Sequence, residues 1–163
     1  MYQAPKISYA DKTKFYNELK QEASGLLESP WLMNTANLSA LIHQHLPEIN
    51  WVGFYFLKND ELQLGPFQGL PACTRIKLGK GVCGTAAQKK EIIIVEDVDK
   101  FPGHIACDAA SRSEIVLPII KNGKVLGVLD IDSPAVSRFT PEDANGLTQV
   151  LEVLIEKTDF AGL

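Results

Sequence analysis

The sequence predicts an α+β domain built on a mainly antiparallel sheet, and three observations carry that expectation. Two amphipathic helical patterns come before any strand. The strands that follow are short, β-branched or aromatic, and joined largely by tight turns rather than by crossover helices. A last amphipathic helix closes the chain, after the longest irregular stretch, residues 96–113. The predicted order is α-α-β-β-β-α-β-loop-β-β-α, rich in hairpins and without internal repeats.

Taken in order, Phe15, Leu19, Ala23 and Leu26 recur at helical spacing between Asp11 and about Glu28, with Lys and Glu between them. Ser29-Pro30 interrupts this helix. A second pattern at Leu38, Leu41, Ile42, His45 and Leu46 predicts a helix that begins near Asn34 or Thr35 and is stopped by Pro47. Trp51–Leu57 is aromatic and β-branched enough for a mostly buried strand, and the turn at Lys58–Glu61 sends the chain back through Leu62–Phe67. Thr74–Leu78 alternates as a third strand. Gly79 and Gly81 open a short helix to about Lys89, which leads into Ile92–Val95, expected as a buried fourth strand.

Ile115–Ile120 and Val125–Ile131 are two further strands joined by Lys121-Asn122-Gly123-Lys124. Asn-Gly between apolar runs signals a type I′ turn, whose two central residues both need positive φ. The strand period of two puts Asp130 and Asp132 on one face with Leu126 and Val128, and Leu129 and Ile131 on the other. In the last helix Thr140 is the expected N-cap, Pro141 suits the first turn, and Glu142 and Asp143 favour the positive end of the dipole. That helix runs to about Lys157 with Ala144, Leu147, Leu151 and Leu154 inward.

A chain of 163 residues that is 45% apolar fits a single domain, 1–163, with its core across about 11–158. A net charge of -4 supplies no basic stripe for phosphate neutralisation, so a small metabolite is a better partner than nucleic acid. The N-terminal MYQAPKISYADK has no apolar signal region, and the longest aliphatic run is far too short to span a bilayer. A soluble, cytoplasmic protein with no membrane partner is expected. Three widely spaced cysteines do not resemble a secreted disulfide framework, which leaves them free, metal-bound, catalytic or simply buried.

The loop 96–113 has apolar anchors in Phe101 and Ile105 and reads as an ordered active-site loop presenting Cys107, with His104 and Arg112 nearby. Cys83 sits at a helix start, where the dipole favours thiolate, and Cys73 follows the turn Gly69-Leu70-Pro71-Ala72. Each cysteine taken alone is as readily a buried structural thiol. A zinc centre needs close ligand pairs, and His104 with Cys107 is half a site, so no metal is expected. Thiol redox chemistry fits better, because an attacking thiolate needs a resolving partner and two candidates exist. Glu114 reads most simply as a solvated strand-end carboxylate, Asp130 and Asp132 as a strand running out to solvent before Ser133-Pro134, and Trp51 as core. If the three acids instead face one pocket, burial and repulsion raise at least one pKa and create a proton donor.

The run WVGFYFL-KNDELQLGPFQG, then LPACTRI around Cys73, GKGVCGTAA around Cys83, FPGHIACDAASRSEIVLPI around Cys107, and GVLDIDS together resemble the GAF-domain family of free methionine-(R)-sulfoxide reductases. The likeness covers nearly the whole chain, and the cysteine trio with SEIV and LDIDS is its specific part. It implies a six-stranded antiparallel sheet flanked by helices, a homodimer, and reduction of free rather than protein-bound methionine-R-sulfoxide, with thioredoxin as reductant. By motif match, Cys107 is the attacking cysteine, Cys73 and Cys83 are the cysteines that form disulfides during turnover, and Trp51, Glu114, Asp130 and Asp132 are substrate-pocket residues. The chemistry implied needs no cofactor. A sulfoxide sulfur is electrophilic once its oxygen is protonated or strongly hydrogen-bonded, so a thiolate and a carboxylic acid must converge on it. Asp130 then suits the substrate ammonium, and Trp51 either packs on the S-methyl group or makes a cation–π contact. The alternative is a non-catalytic GAF-type sensor of a small ligand or of redox state, which would use the thiols without needing an acidic pocket.

Overall fold

The computed structural model describes residues 6–103 and 109–163. Its elements are α1 (Lys12–Leu26), α2 (Trp31–His45), β1 (Trp51–Lys58), β2 (Glu61–Gln68), β3 (Arg75–Lys77), α3 (Gly81–Lys89), β4 (Ile93–Val95), a 3-10 turn (Val98–Lys100), β5 (Ser113–Lys121), β6 (Lys124–Ser133) and α4 (Pro141–Lys157). The six strands form one sheet in the order β3-β2-β1-β6-β5-β4, and every neighbouring pair is antiparallel. The α+β architecture anticipated from the hairpin-rich order is the one observed.

Alternation along the central strands gives the sheet two apolar faces. Val52, Phe54 and Phe56 of β1, Ile115, Leu117 and Ile119 of β5, and Leu129 and Ile131 of β6 pack against α1, α2 and α4 in the larger core. The opposite face carries Trp51, Tyr55, Leu62, Ile76, Val116 and Val128, and α3 covers it with Val82, Cys83, Ala86 and Ala87. The site is built on this second, thinner side.

Both hairpins turn as their sequences require. Asn59 and Asp60 between β1 and β2, and Asn122 and Gly123 between β5 and β6, all have positive φ. At the far end, Thr140 and Asp143 form a capping box, and Asp143 also accepts from Tyr9 Oη at 2.6 Å, Tyr16 Oη at 2.8 Å and Lys12 Nζ at 2.8 Å. One buried carboxylate thus ties the N-terminal segment and α1 to α4. No helix among the described residues is long and apolar enough to cross a membrane.

Three local expectations are corrected. Helix α2 begins at Trp31, not near Asn34 or Thr35. Those two side chains lie inside the helix and serve other ends: Asn34 Oδ1 accepts from Glu28 N and its Nδ2 donates to Thr158 Oγ1, while Thr35 Oγ1 donates back to Trp31 O. Strand β4 is only partly buried, because it is an edge strand that pairs only with β5; Ile92 just before it is exposed, Ile93 and Ile94 are half-buried, and Val95 alone is buried. Leu126 does not share a face with Asp130 and Asp132. The ladder steps from Ile119↔Gly127 to Ile120↔Val125, so Leu126 is an extra residue on β6, and this bulge turns it toward the Leu129 and Ile131 core.

Candidate active site

Cross-strand register assembles the site. On the α3 side of the sheet, Trp51 of β1 stands opposite Asp132 of β6, which stands opposite Glu114 of β5; one step along, Gly53, Asp130 and Val116 form the next row. The missing side chain at Gly53 is a requirement of this arrangement. A Cβ there would lie 2.6 Å from Trp51 Cη2 and 2.4 Å from Phe67 Cβ, so glycine lets the indole lie down across β1. The indole then stacks on Phe67 (5.3 Å, 17°) and on Tyr55 (6.0 Å, 27°).

The polar tips of two of these aromatics reach the loop that carries Cys73. Trp51 Nε1 donates to Leu70 O at 3.1 Å, and Tyr55 Oη donates to Cys73 O at 3.0 Å. Cys73 is disulfide-bonded and half-buried. Cys107, His104 and Ile105 lie outside the described residues, so the expected presentation of Cys107 by its loop has no structural description here.

Trp51, Tyr55, Cys83, Ser111, Glu114, Asp130 and Asp132, with the Leu70–Ala72 segment, line one pocket, a tight one of about 40 Å³. Glu114 and Asp130 are only 5% and 6% exposed and Asp132 is half-buried, so the solvated readings of these acids give way to the pocket reading. Trp51 is both core and wall. Tyr55 and Ser111 are site residues that sequence reasoning passed over; the period-two series Trp51, Gly53, Tyr55 on a strand already suspected of facing a site was the available signal.

No lysine, arginine or histidine is among the described residues lining this pocket. Burial pushes the Glu114 carboxyl well up, and Asp130 and Asp132 push it further, which favours its protonated form. Burial also raises Asp130, to about 6, while hydrogen bonds from Cys83 and Glu114 hold it back. Asp130 Oδ1 has no hydrogen-bond partner among the described residues.

Cys83 departs from expectation. Its Sγ lies 3.9 Å from Glu114 Oε1, and burial, followed by the charges of Asp130 and Glu114, drives the thiol well above its ordinary pKa. The helix start does not make it a thiolate. Cys83, Glu114 and Asp130 do place one ligand atom each within 4.8 Å of one another, a cluster that the sequence, with no close ligand pairs, gave no reason to expect.

A six-stranded antiparallel sheet with three helices on one face, and a pocket under a short helix on the other, is the architecture of a GAF domain. The GAF domain model matches residues 26–155, and the chain belongs to that family. Within it, the chain is closely related to free methionine-R-sulfoxide reductases. It is 50% identical to the free methionine-R-sulfoxide reductase of Escherichia coli K12 over 155 residues, covering 92% of this chain and 94% of that one. The structure of the Neisseria meningitidis free methionine-R-sulfoxide reductase in complex with its substrate superposes with a TM-score of 0.91 at 41% identity, covering 96% of this chain and 95% of the other. That of the Staphylococcus aureus enzyme, also in complex with substrate, gives 0.84 at 48% identity over 87% and 94%.

Proposed function

We propose that this protein reduces free methionine-R-sulfoxide to methionine, and the observation that carries the reading is a buried Glu114, its carboxyl pushed well up toward the protonated form, in one pocket with Asp130 and an aromatic wall. Asp130 receives the substrate ammonium, Trp51 packs on the S-methyl group, and Glu114 donates a proton to the sulfoxide oxygen. The Cys107 thiolate attacks the sulfur while the protonated oxygen leaves as water, giving a Cys107 thiosulfonium; water then attacks Cys107 Sγ, methionine departs with the electron pair of the S–S bond, a proton is released, and Cys107 is left as a sulfenic acid. The Cys73 thiolate then displaces hydroxide from that sulfenic acid to form a disulfide, and water is released after protonation. That Cys73 is disulfide-bonded while Cys83 is a buried, protonated thiol supports Cys73 as the resolving residue. An external dithiol such as thioredoxin reduces the disulfide. The same reading makes the chain a single domain, homodimeric and cytoplasmic.

The test is a rate comparison on free methionine-R-sulfoxide, its S epimer and N-acetylated R-sulfoxide. Only the first should turn over, since acetylation removes the charge that Asp130 pairs with and adds bulk. Comparable rates on the acetylated and free forms would refute the assignment. In rapid-quench experiments Cys107→Ser should release no methionine, and Cys73→Ser should release one equivalent per site and then stall. A non-catalytic redox sensor would instead form its disulfide without turnover and regardless of the acids.

A further inference from the structure

Cys83, Glu114 and Asp130 come from α3, β5 and β6, and each brings a ligand atom within 4.8 Å of the other two. All three side chains are buried, and Asp130 Oδ1 faces this pocket without a donor among the described residues. The donor set is one sulfur and two carboxylate oxygens. Calcium and magnesium take oxygen sites of higher coordination number, whereas zinc and cadmium accept sulfur with oxygen in a tetrahedral shell. We propose that Cys83, Glu114 and Asp130 form a binding site for a thiophilic divalent cation such as zinc, with the fourth coordination position open to the pocket.

Zinc stands about 2.3 Å from sulfur and about 2.0–2.2 Å from carboxylate oxygen, which places tetrahedral ligand atoms roughly 3.5 Å apart. Cys83 Sγ and Glu114 Oε1 are already at 3.9 Å. The three ligand atoms lie within 4.8 Å of one another, so binding would draw them about 1 Å closer. Each ligand must give up its proton, so the cation displaces the protons that crowding holds on this cluster, and its affinity rises with pH. No positive side chain among the described lining residues opposes its entry. The bound cation would occupy the place assigned above to the substrate ammonium and would remove the Glu114 proton, so it inhibits in competition with substrate. This inhibition rests on the proposed function; the binding does not.

The test uses the full chain carrying Cys73→Ser and Cys107→Ser, in which Cys83 is the one thiol. Cadmium titration followed by the ultraviolet sulfur-to-cadmium charge-transfer band should saturate at one equivalent. Adding Glu114→Gln or Asp130→Asn should weaken binding by more than the roughly tenfold that even an outer-shell partner is worth. A band that never forms, or one whose affinity ignores both carboxylate substitutions and so reports a lone thiol, overturns the proposal. Free methionine-R-sulfoxide should displace the cadmium. If cadmium binds as described and the sulfoxide leaves it in place, the metal site stands and the substrate assignment fails; if the sulfoxide is turned over by the unsubstituted enzyme and zinc does not inhibit competitively, the proposed regulation fails.

Discussion

Replacing Asp130 with asparagine should make this protein more stable and less active, and the size of the gain follows from the site. In an unfolded chain an aspartate titrates near 3.8, and in the folded protein burial lifts Asp130 to about 6. Below pH 4 the group is largely protonated in both states and costs little. Between those two values the folded protein keeps a proton that the unfolded chain has released, so stability falls as pH rises, and above about 6 the deficit is constant. A gap of about 2 pH units at about 1.4 kcal/mol each amounts to about 3 kcal/mol. Asparagine has a similar shape, can still accept from Cys83, and never ionises, so the variant escapes that cost.

The measurement is urea unfolding of the reduced protein and of Asp130→Asn between pH 4 and pH 8. The variant's advantage should be under about 1 kcal/mol at pH 4 and grow to about 3 kcal/mol at pH 8, while its KM for the free sulfoxide rises because the ammonium has lost its partner. An advantage that does not change with pH, or a variant less stable at pH 8, would show that Asp130 is not held ionised against its surroundings.

The remaining predictions concern neighbouring groups. Glu114→Gln keeps the shape of the side chain and removes its proton, so the first-turnover rate should drop by roughly 10²–10⁴-fold in rapid quench, mainly in kcat, and an undiminished burst would remove Glu114 from the chemistry. Tyr55→Phe deletes the hydrogen bond to Cys73 O, and at about 1 kcal/mol this should slow disulfide formation about fivefold while sparing the methionine burst; thiol counting against time distinguishes the two steps. Asp143 is the opposite case to Asp130: burial raises it, but hydrogen bonds from Lys12, Tyr9, Thr140 N and Tyr16 outweigh that and depress it to about 2. The resulting stability, about 2 kcal/mol, is present above pH 4 and lost as pH falls toward 2, so Asp143→Asn should flatten the acid side of the stability curve in urea melts.

The strands and turns were legible in the sequence because each is specified locally. Asn122-Gly123 needs no partner to demand positive φ, and the apolar runs on either side state their own period. Where the structure departs from the sequence pattern, the cause lies in partners distant in sequence. The pattern predicts a start for α2 near Asn34 or Thr35, yet the Asn34 amide is engaged by Glu28 and by Thr158 across the fold. The bulge at Leu126 leaves no mark in a run of apolar residues, since it exists only as a register shift against β5. The edge position of β4 is likewise a fact of strand order.

At the site, residue types were legible and ionisation was not. The sequence allowed Glu114, Asp130 and Asp132 to share a pocket but equally allowed them to be solvated, because the choice depends on whether α3 lies over that face of the sheet. Cys83 shows how the balance falls. A helix start stabilises a nearby anion by about 0.3–1 kcal/mol, whereas full burial can shift a titrating group by about 3–5 pKa units, or roughly 4–7 kcal/mol. With two carboxyl groups beside it as well, the local preference for thiolate is outweighed and the thiol keeps its proton. In the proposed mechanism Glu114 donates to the sulfoxide oxygen and Asp130 pairs with the ammonium, so the attacking thiolate comes from outside this crowded cluster. That physical requirement argues against Cys83 as the attacking thiol; the choice of Cys107 over Cys73 is what the motif resemblance implies.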